Sequence, residues 1–217
     1  MLESTMPSGP VMPATREFGT NWFEYGARAI WDQMIPLIDP ATVLEVGSFE
    51  GASACYLIDR LARQHPLELH CVDSWQGGVE HAGSDMGVIE RRFHHNTALA
   101  IAEAAHKVEL VVHKGLSDTA LIALLAAGNV GKFDFIYVDG SHQAPDVLAD
   151  AVLGFRLLKP GGVMGFDDYI WAEDLPGGKD PLRCPKPAID AFVNLHIRQL
   201  DIVPAPIGQF YVRKLPS

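Results

Sequence analysis

Short apolar runs alternate along this chain with longer segments whose apolar residues recur at helical spacing. The short runs predict buried strands at about 42–47, 69–72, 108–113, 133–138 and 163–166. The longer segments predict helices at about 22–38, 51–64, 86–105, 117–127, 145–158 and 187–198. Strands that alternate with helices imply right-handed crossovers and a parallel sheet.

The C-terminal end departs from this alternation. Two strands are predicted near 201–206 and 209–214, joined as a hairpin around Ile207 and Gly208, and residues 159–162 predict a turn. We therefore expect an α/β fold with a Rossmann-like, doubly wound, seven-stranded sheet, mostly parallel with one antiparallel strand near the C-terminus. Residues 1–20 are expected to be a flexible segment and residues 21–217 a single domain.

Composition and charge argue against two kinds of partner, nucleic acids and membranes. The 217 residues carry a formal net charge of -10, which argues against binding nucleic acid through its phosphates. We find no apolar run of membrane-spanning length and no apparent signal peptide, so no membrane partner is expected. The three cysteines have no zinc-site spacing, and their odd number favours a reducing compartment, which predicts a cytoplasmic protein.

The segment 42–53 carries the most information, and it reads TVLEVGSFEGAS. It predicts a buried strand, a glycine turn and a helix start, a construction that holds nucleotide-like ligands. Glu45 precedes the first glycine, Gly47, and its negative charge suits a ligand with a positive centre better than a pyrophosphate. The turn also lacks the middle glycine of the dinucleotide pattern, and the chain has no Tyr-x-x-x-Lys pair, which weakens the alternative of an NAD-type oxidoreductase.

Polar residues and glycines follow the other predicted strands, and parallel topology gathers them on one rim. They are Gly47, Asp73, Gly115, Asp139 and Asp167. Asp73 ends the second strand, where an acidic side chain accepts hydrogen bonds from ribose hydroxyls. Trp75 has two interpretations that the sequence leaves open: it stacks on an adenine, or it closes the loop.

Three segments together resemble a known family. They are 44–53, 135–142 (FIYVDGSH) and 158–169 (LKPGGVMGFDDY). Together they are similar to motifs of class I S-adenosylmethionine-dependent methyltransferases, specifically the small-molecule O-methyltransferases of the catechol and caffeoyl-coenzyme A type and the related bacterial cephalosporin-hydroxylase-like group. The resemblance covers roughly residues 40–170.

The resemblance implies a layout for S-adenosylmethionine. Glu45 and the turn would face the methionine part, with its positive amino group, and Asp73 would bind the ribose. The adenine would lie against the loop after the third strand. The residues expected to bind the cofactor are Glu45, Gly47, Ser48, Gly51, Ser53, Asp73, Ser74, Trp75, Gly115, Leu116, Ser117 and Asp139.

The resemblance also implies a divalent cation, such as Mg²⁺, held by Asp139, Asp167 and Asp168. Carboxylate oxygens are the ligands that Mg²⁺ prefers, and a bound metal lowers the pKa of a hydroxyl that it coordinates. Asp168 stands where the catechol type has Asn. The alternative is that Asp139 contacts the cofactor or caps a helix, and that Asp167 and Asp168 form a polar turn.

His142 is the expected general base, acting with Asp139, because histidine titrates near neutral pH. A metal contact or a structural loop role are its alternatives. Segments 10–25, 75–86 and 169–187 would enclose a small-molecule acceptor such as a phenol, a sugar or a polyketide. A homodimer is a possible assembly, and a cofactor-binding protein with a decayed catalytic rim remains a further hypothesis.

Overall fold

The computed structural model describes residues 14–216. Seven strands form one sheet in the order β3-β2-β1-β4-β5-β7-β6. They are β1 (Thr42–Val46), β2 (Leu67–Asp73), β3 (Val108–Lys114), β4 (Phe133–Val138), β5 (Leu158–Phe166), β6 (Leu200–Val203) and β7 (Phe210–Lys214). The first five strands are parallel, and β7 runs antiparallel to both β5 and β6. The predicted fold class is therefore confirmed.

Helices cover both faces of the sheet. They are α1 (Trp22–Tyr25), α2 (Arg28–Ile38), α3 (Ala52–Leu61), α4 (Met86–Glu103), α5 (Ser117–Ala126), α6 (Ala144–Leu157) and α7 (Lys186–His196). Residues of α2, α3 and α4 pack on one face in a core that includes Trp31, Leu57 and Phe93. Residues of α5, α6 and α7 form the second core on the other face. This two-sided cover explains why the central strands are continuous apolar runs.

Two local predictions differ from the structure. The single helix predicted at 22–38 is two helices, because Gly26 leaves the helical region with φ -102° and ψ -85°. The turn predicted at 159–162 lies within β5, as an irregularity in which the strand's register against β4 shifts between Phe133 and Phe135. The predicted C-terminal hairpin is present as β6 and β7.

Residues 16–19 form hydrogen bonds with the rest of the domain. Residues 1–13 belong to the segment predicted to be flexible and lie outside the described residues. From there on, Arg16 donates to Asp59 and Glu103, and the backbone N–H of Gly19 donates to Glu50. Among residues 14–216, no helix has the length and apolar character that crossing a membrane requires.

Candidate active site

A cavity of about 1260 Å³ opens at the carboxyl ends of the parallel strands. Most of the predicted site residues line it, although they are distant in sequence. They are Gly47, Ser48, Ser53, Asp73, Ser74, Gly115, Leu116, Ser117, Asp139, His142, Asp167 and Asp168. Glu45, Gly51 and Trp75 were also predicted, but they are not among the lining residues. The rim inferred from parallel topology is thus one continuous surface.

The glycine turn after β1 is packed too closely for any other residue at Gly47. A Cβ there would lie 1.9 Å from the backbone oxygen of Asp139, and Gly47 has a φ of +89°. The Gly47 N–H donates to the Val72 oxygen, and the Asp139 N–H donates to the Val46 oxygen, each at 2.8 Å. These bonds join the ends of β1, β2 and β4 directly below the cavity. Gly51, with φ +79°, lies at the N-cap of α3 and lets the chain enter that helix.

Glu45, which was predicted to face the methionine part of the donor, is enclosed by groups of the protein. Its side chain is 0% exposed, and its carboxyl accepts from Ser48 Oγ at 2.6 Å and Ser53 Oγ at 2.5 Å. Burial raises the pKa of Glu45, while the two serine hydroxyls lower it. The carboxyl thus supports the turn through these two serines, both of which line the cavity.

Asp73 organises the same turn from the end of β2. Its Oδ2 accepts from the backbone N–H groups of Ser48 and Phe49 at 3.0 and 2.9 Å. Its Oδ1 accepts from the Trp75 N–H at 2.7 Å. Each carboxylate oxygen has two lone pairs, so Oδ1 of Asp73 can accept one further bond at the cavity surface.

Trp75 packs away from the cavity. Its side chain is 5% exposed, its indole N–H donates to the Phe49 oxygen at 3.0 Å, and its ring lies 5.1 Å from that of Phe93. This packing favours the loop-closing interpretation over adenine stacking.

A second group of polar side chains lies at the ends of β4 and β5. One ligand atom each from Asp139, His142 and Asp168 lies within 4.8 Å of the others, the spacing at which three side chains can share a cation. His142 Nε2 is 2.7 Å from Asp168 Oδ2, and the His142 ring lies 4.3 Å from Trp171. The carboxylate thus orients the imidazole from one side while the indole packs against its face.

Asp167, the third predicted metal ligand, is oriented differently. Its Oδ2 accepts from the Tyr137 hydroxyl, and its Oδ1 accepts from the Asp168 N–H at 2.8 Å. Burial, and then the neighbouring Asp168, raise the pKa of Asp167. The group that converges in the structure therefore contains His142 in place of Asp167.

Three stacked rings line the cavity beside the glycine turn, and the sequence analysis did not name them as site residues. Trp22 from α1 stacks on Phe49 in the glycine turn at 5.1 Å, and Phe49 stacks on His81 at 4.9 Å. All three residues line the cavity. Phe49 could have been found, because it lies inside the recognised turn. Trp22 and His81 lie in the segments 10–25 and 75–86 that were predicted to enclose an acceptor, but no local pattern says that α1 reaches the turn.

The comparisons with known proteins agree with this geometry. A family model described as a methyltransferase domain matches residues 44–169, which is more than half of the chain. The chain belongs to this methyltransferase family. The match begins in β1 and ends just after Asp168, so it contains both the glycine turn and the polar group at the ends of β4 and β5. The methyltransferase class predicted from the sequence is confirmed.

Solved structures of methyltransferases share the fold. The O-methyltransferase TomG from Streptomyces achromogenes, solved with SAM, is 20% identical with a TM-score of 0.57, covering 84% of this chain and 77% of TomG. An O-methyltransferase from Bacillus cereus, solved with SAH, is 16% identical with a TM-score of 0.57, covering 93% and 84%. The O-methyltransferase NovP is 14% identical with a TM-score of 0.56, covering 87% and 78%. No curated protein matches this sequence.

Proposed function

We propose that this methyltransferase transfers a methyl group from S-adenosylmethionine to an oxygen of a small-molecule acceptor. The observation that carries the proposal is one cavity that holds two kinds of surface. The glycine turn and Asp73 lie on one side of it, and Asp139, His142 and Asp168 lie on another. Two O-methyltransferases that share the fold were solved with SAM or SAH, which supports the same donor here.

The donor would occupy the surface between Gly47, Asp73 and Ser117. Asp73 has acceptor capacity for one ribose hydroxyl, and the Gly47 turn lets the ligand approach the backbone closely. Phe49 presents a ring in this same turn, and an aromatic face attracts a cation such as a sulfonium.

The reaction is a displacement at carbon. The acceptor oxygen forms a bond to the methyl carbon, the carbon–sulfur bond breaks, and sulfur leaves as a neutral thioether. The His142–Asp168 pair takes the acceptor's hydroxyl proton. His142 Nε2 lies 2.7 Å from Asp168 Oδ2, whereas Nδ1 is buried. Positioning of the reactants can supply roughly 7–11 kcal/mol of the acceleration.

The donor set at the second surface suits a divalent cation. Asp139 and Asp168 would hold it, and His142 would be a third ligand only in place of acting as the base, because a nitrogen bound to a cation cannot take a proton. When bound, such a cation would acidify a coordinated hydroxyl. Nothing in the geometry favours the NAD-type alternative.

The test is methyl transfer from S-adenosylmethionine to a panel of phenols and sugars, with and without a chelator. We expect at least one oxygen acceptor to be methylated. Asp168→Asn is expected to lower kcat about 10–100-fold because the imidazole loses its charged partner. Asp174→Asn, the same change at an exposed loop position, should leave the rate unchanged.

Three outcomes would count against the proposal. Transfer to nitrogen or carbon acceptors alone would contradict O-methylation. Equal rates for the Asp168 and Asp174 variants would remove the catalytic role of the His142–Asp168 pair. A rate that does not change when chelator is added would exclude a role for the cation in the reaction.

A further inference from the structure

A line of buried polar side chains connects the C-terminal hairpin to the catalytic rim. The Tyr211 hydroxyl donates to Gln209 Oε1 at 2.5 Å, and Gln209 Nε2 donates to the Tyr137 hydroxyl at 2.8 Å. The Tyr137 hydroxyl in turn donates to Asp167 Oδ2. Tyr211 and Tyr137 are each 1% exposed and Gln209 is 5% exposed, so the connection is shielded from water.

The hydrogen bonds have one direction, and Gln209 sets it. An amide nitrogen can only donate, so the Tyr137 oxygen receives the bond from Gln209 and keeps its own hydrogen for Asp167. With the amide reversed, Tyr137 would donate to the Gln209 oxygen and Asp167 would lose its donor. The Tyr211 hydroxyl stabilises the observed orientation because it donates to the amide oxygen.

Asp167 connects Tyr137 to Asp168 and His142, the residues proposed to contact the reacting groups. Its second oxygen accepts from the Asp168 N–H at 2.8 Å. Asp168 has a φ of 54°, in the left-handed region that is unfavourable for a residue with a Cβ. From this backbone position its side chain reaches His142 at 2.7 Å. The hydrogen bond to Asp167 therefore holds the backbone conformation that aims Asp168 at the imidazole.

We infer that Gln209 is a positioning residue for methyl transfer, acting through Tyr137 and Asp167 on the Asp168–His142 pair. The inference rests on the proposed function and extends it to the antiparallel hairpin, which lies outside residues 44–169 matched by the family model. In this account the hairpin both closes the sheet and orients the catalytic rim. The donor surface at Gly47 and Asp73 is not part of the line, so donor binding should be independent of Gln209.

Three variants test the line. Gln209→Met removes both bonds, and Gln209→Glu, assayed at a pH where its carboxyl is ionised, keeps the shape but cannot donate to Tyr137. Both should lower kcat about 10–100-fold, the usual effect of losing an outer-shell partner, with unchanged affinity for S-adenosylhomocysteine. Thr97→Val is the control: it removes a buried hydroxyl bond, to the Phe93 oxygen in α4, and should leave kcat unchanged.

A measurement without turnover separates this inference from the proposed function. Nitrogen-15 NMR of the His142 ring should show one tautomer, protonated at Nε2, in the wild type and in Thr97→Val. Gln209→Met should show a mixture of tautomers, because Asp168 is no longer held against Nε2. Identical spectra for the wild type and Gln209→Met would overturn the inference even if methyl transfer is demonstrated. Absence of methyl transfer by the wild type would overturn the proposed function, while the tautomer spectra would still test the connection from Gln209 to His142.

Discussion

Asp150 is a carboxyl enclosed in the middle of α6, beside the cavity. The residue is 1% exposed, and burial raises its pKa to about 7, although the Ser117 hydroxyl lowers it. The folded state therefore holds the proton more tightly than the unfolded chain, whose aspartates titrate near 3.8. Stability contributed by the neutral form is present below about pH 4 and is lost as pH rises to about 7.

Asp150→Asn should therefore stabilise the protein at neutral and alkaline pH. The shift corresponds to at most about 4 kcal/mol in the free energy of unfolding above pH 7, at about 1.4 kcal/mol per pKa unit, and to no gain near pH 4. Urea unfolding at pH 4, 6 and 8 measures this. Asp201→Asn, on the exposed surface of β6, is the control for the charge change. A gain that is equal at all three pH values would contradict the explanation.

At the residue scale, the sequence predicts where a side chain lies along its strand, but not where its polar atoms point. Asp73, Asp139 and Asp168 were found because they follow parallel strands, whose ends share one edge. Glu45 belongs to the same edge, yet two serine hydroxyls enclose its carboxyl. Asp167 likewise faces Tyr137, a partner 30 residues away that no local pattern identifies.

At the element scale, the segment 15–19 is bound to the glycine turn and to α4. Asn96, which is fully buried, accepts from the Glu17 N–H and donates to the oxygens of Glu17 and Glu50. Glu50, inside the turn, accepts from the Gly19 N–H at 2.6 Å and from Arg92 at 2.5 Å. The segment is thus hydrogen-bonded to the element expected to bind the donor, immediately before Trp22 stacks on that element.

Removing residues 1–19 should weaken donor binding. Glu50 and Asn96 lose their partners in the segment, so the turn is held less firmly. We expect at least about tenfold lower affinity for S-adenosylhomocysteine by calorimetry, which is about 1.4 kcal/mol. Removing only residues 1–13 keeps every one of these contacts and should leave the affinity unchanged. If both truncations bind like the full chain, the segment has no part in the donor site.

Elements with strong periodicity were predictable, and their breaks were not. The apolar strands and the α4 and α6 helices match their predicted positions within a few residues. The break at Gly26 was missed because apolar spacing continues on both sides of it. The link between segment 15–19 and the turn was missed because it depends on single hydrogen bonds between distant residues.

At the scale of the whole molecule, the sheet order explains why the proposed donor and acceptor surfaces lie in one cavity. β1 lies between β2 and β4, so the turn after β1 meets Asp73 on one side and Asp139 on the other. The acceptor surface continues to β5, and the antiparallel β7 beside β5 brings Gln209 to Tyr137. The alternation of strands and helices predicted a mostly parallel, doubly wound sheet, but it did not predict this strand order. It could not predict the identity of the acceptor, because the loops that enclose the cavity have no regular pattern.

The central claim is that the turn at Gly47 binds S-adenosylmethionine, and calorimetry with S-adenosylhomocysteine tests it most directly. The wild type should bind one molecule per chain. Gly47→Ala should abolish binding because its Cβ would lie 1.9 Å from the Asp139 oxygen. Gly128→Ala places alanine at a similar φ, +88°, with no heavy atom within 4 Å, and should bind normally. A wild type that binds NAD but not S-adenosylhomocysteine, or a Gly47→Ala variant that binds as well as Gly128→Ala, would contradict the account.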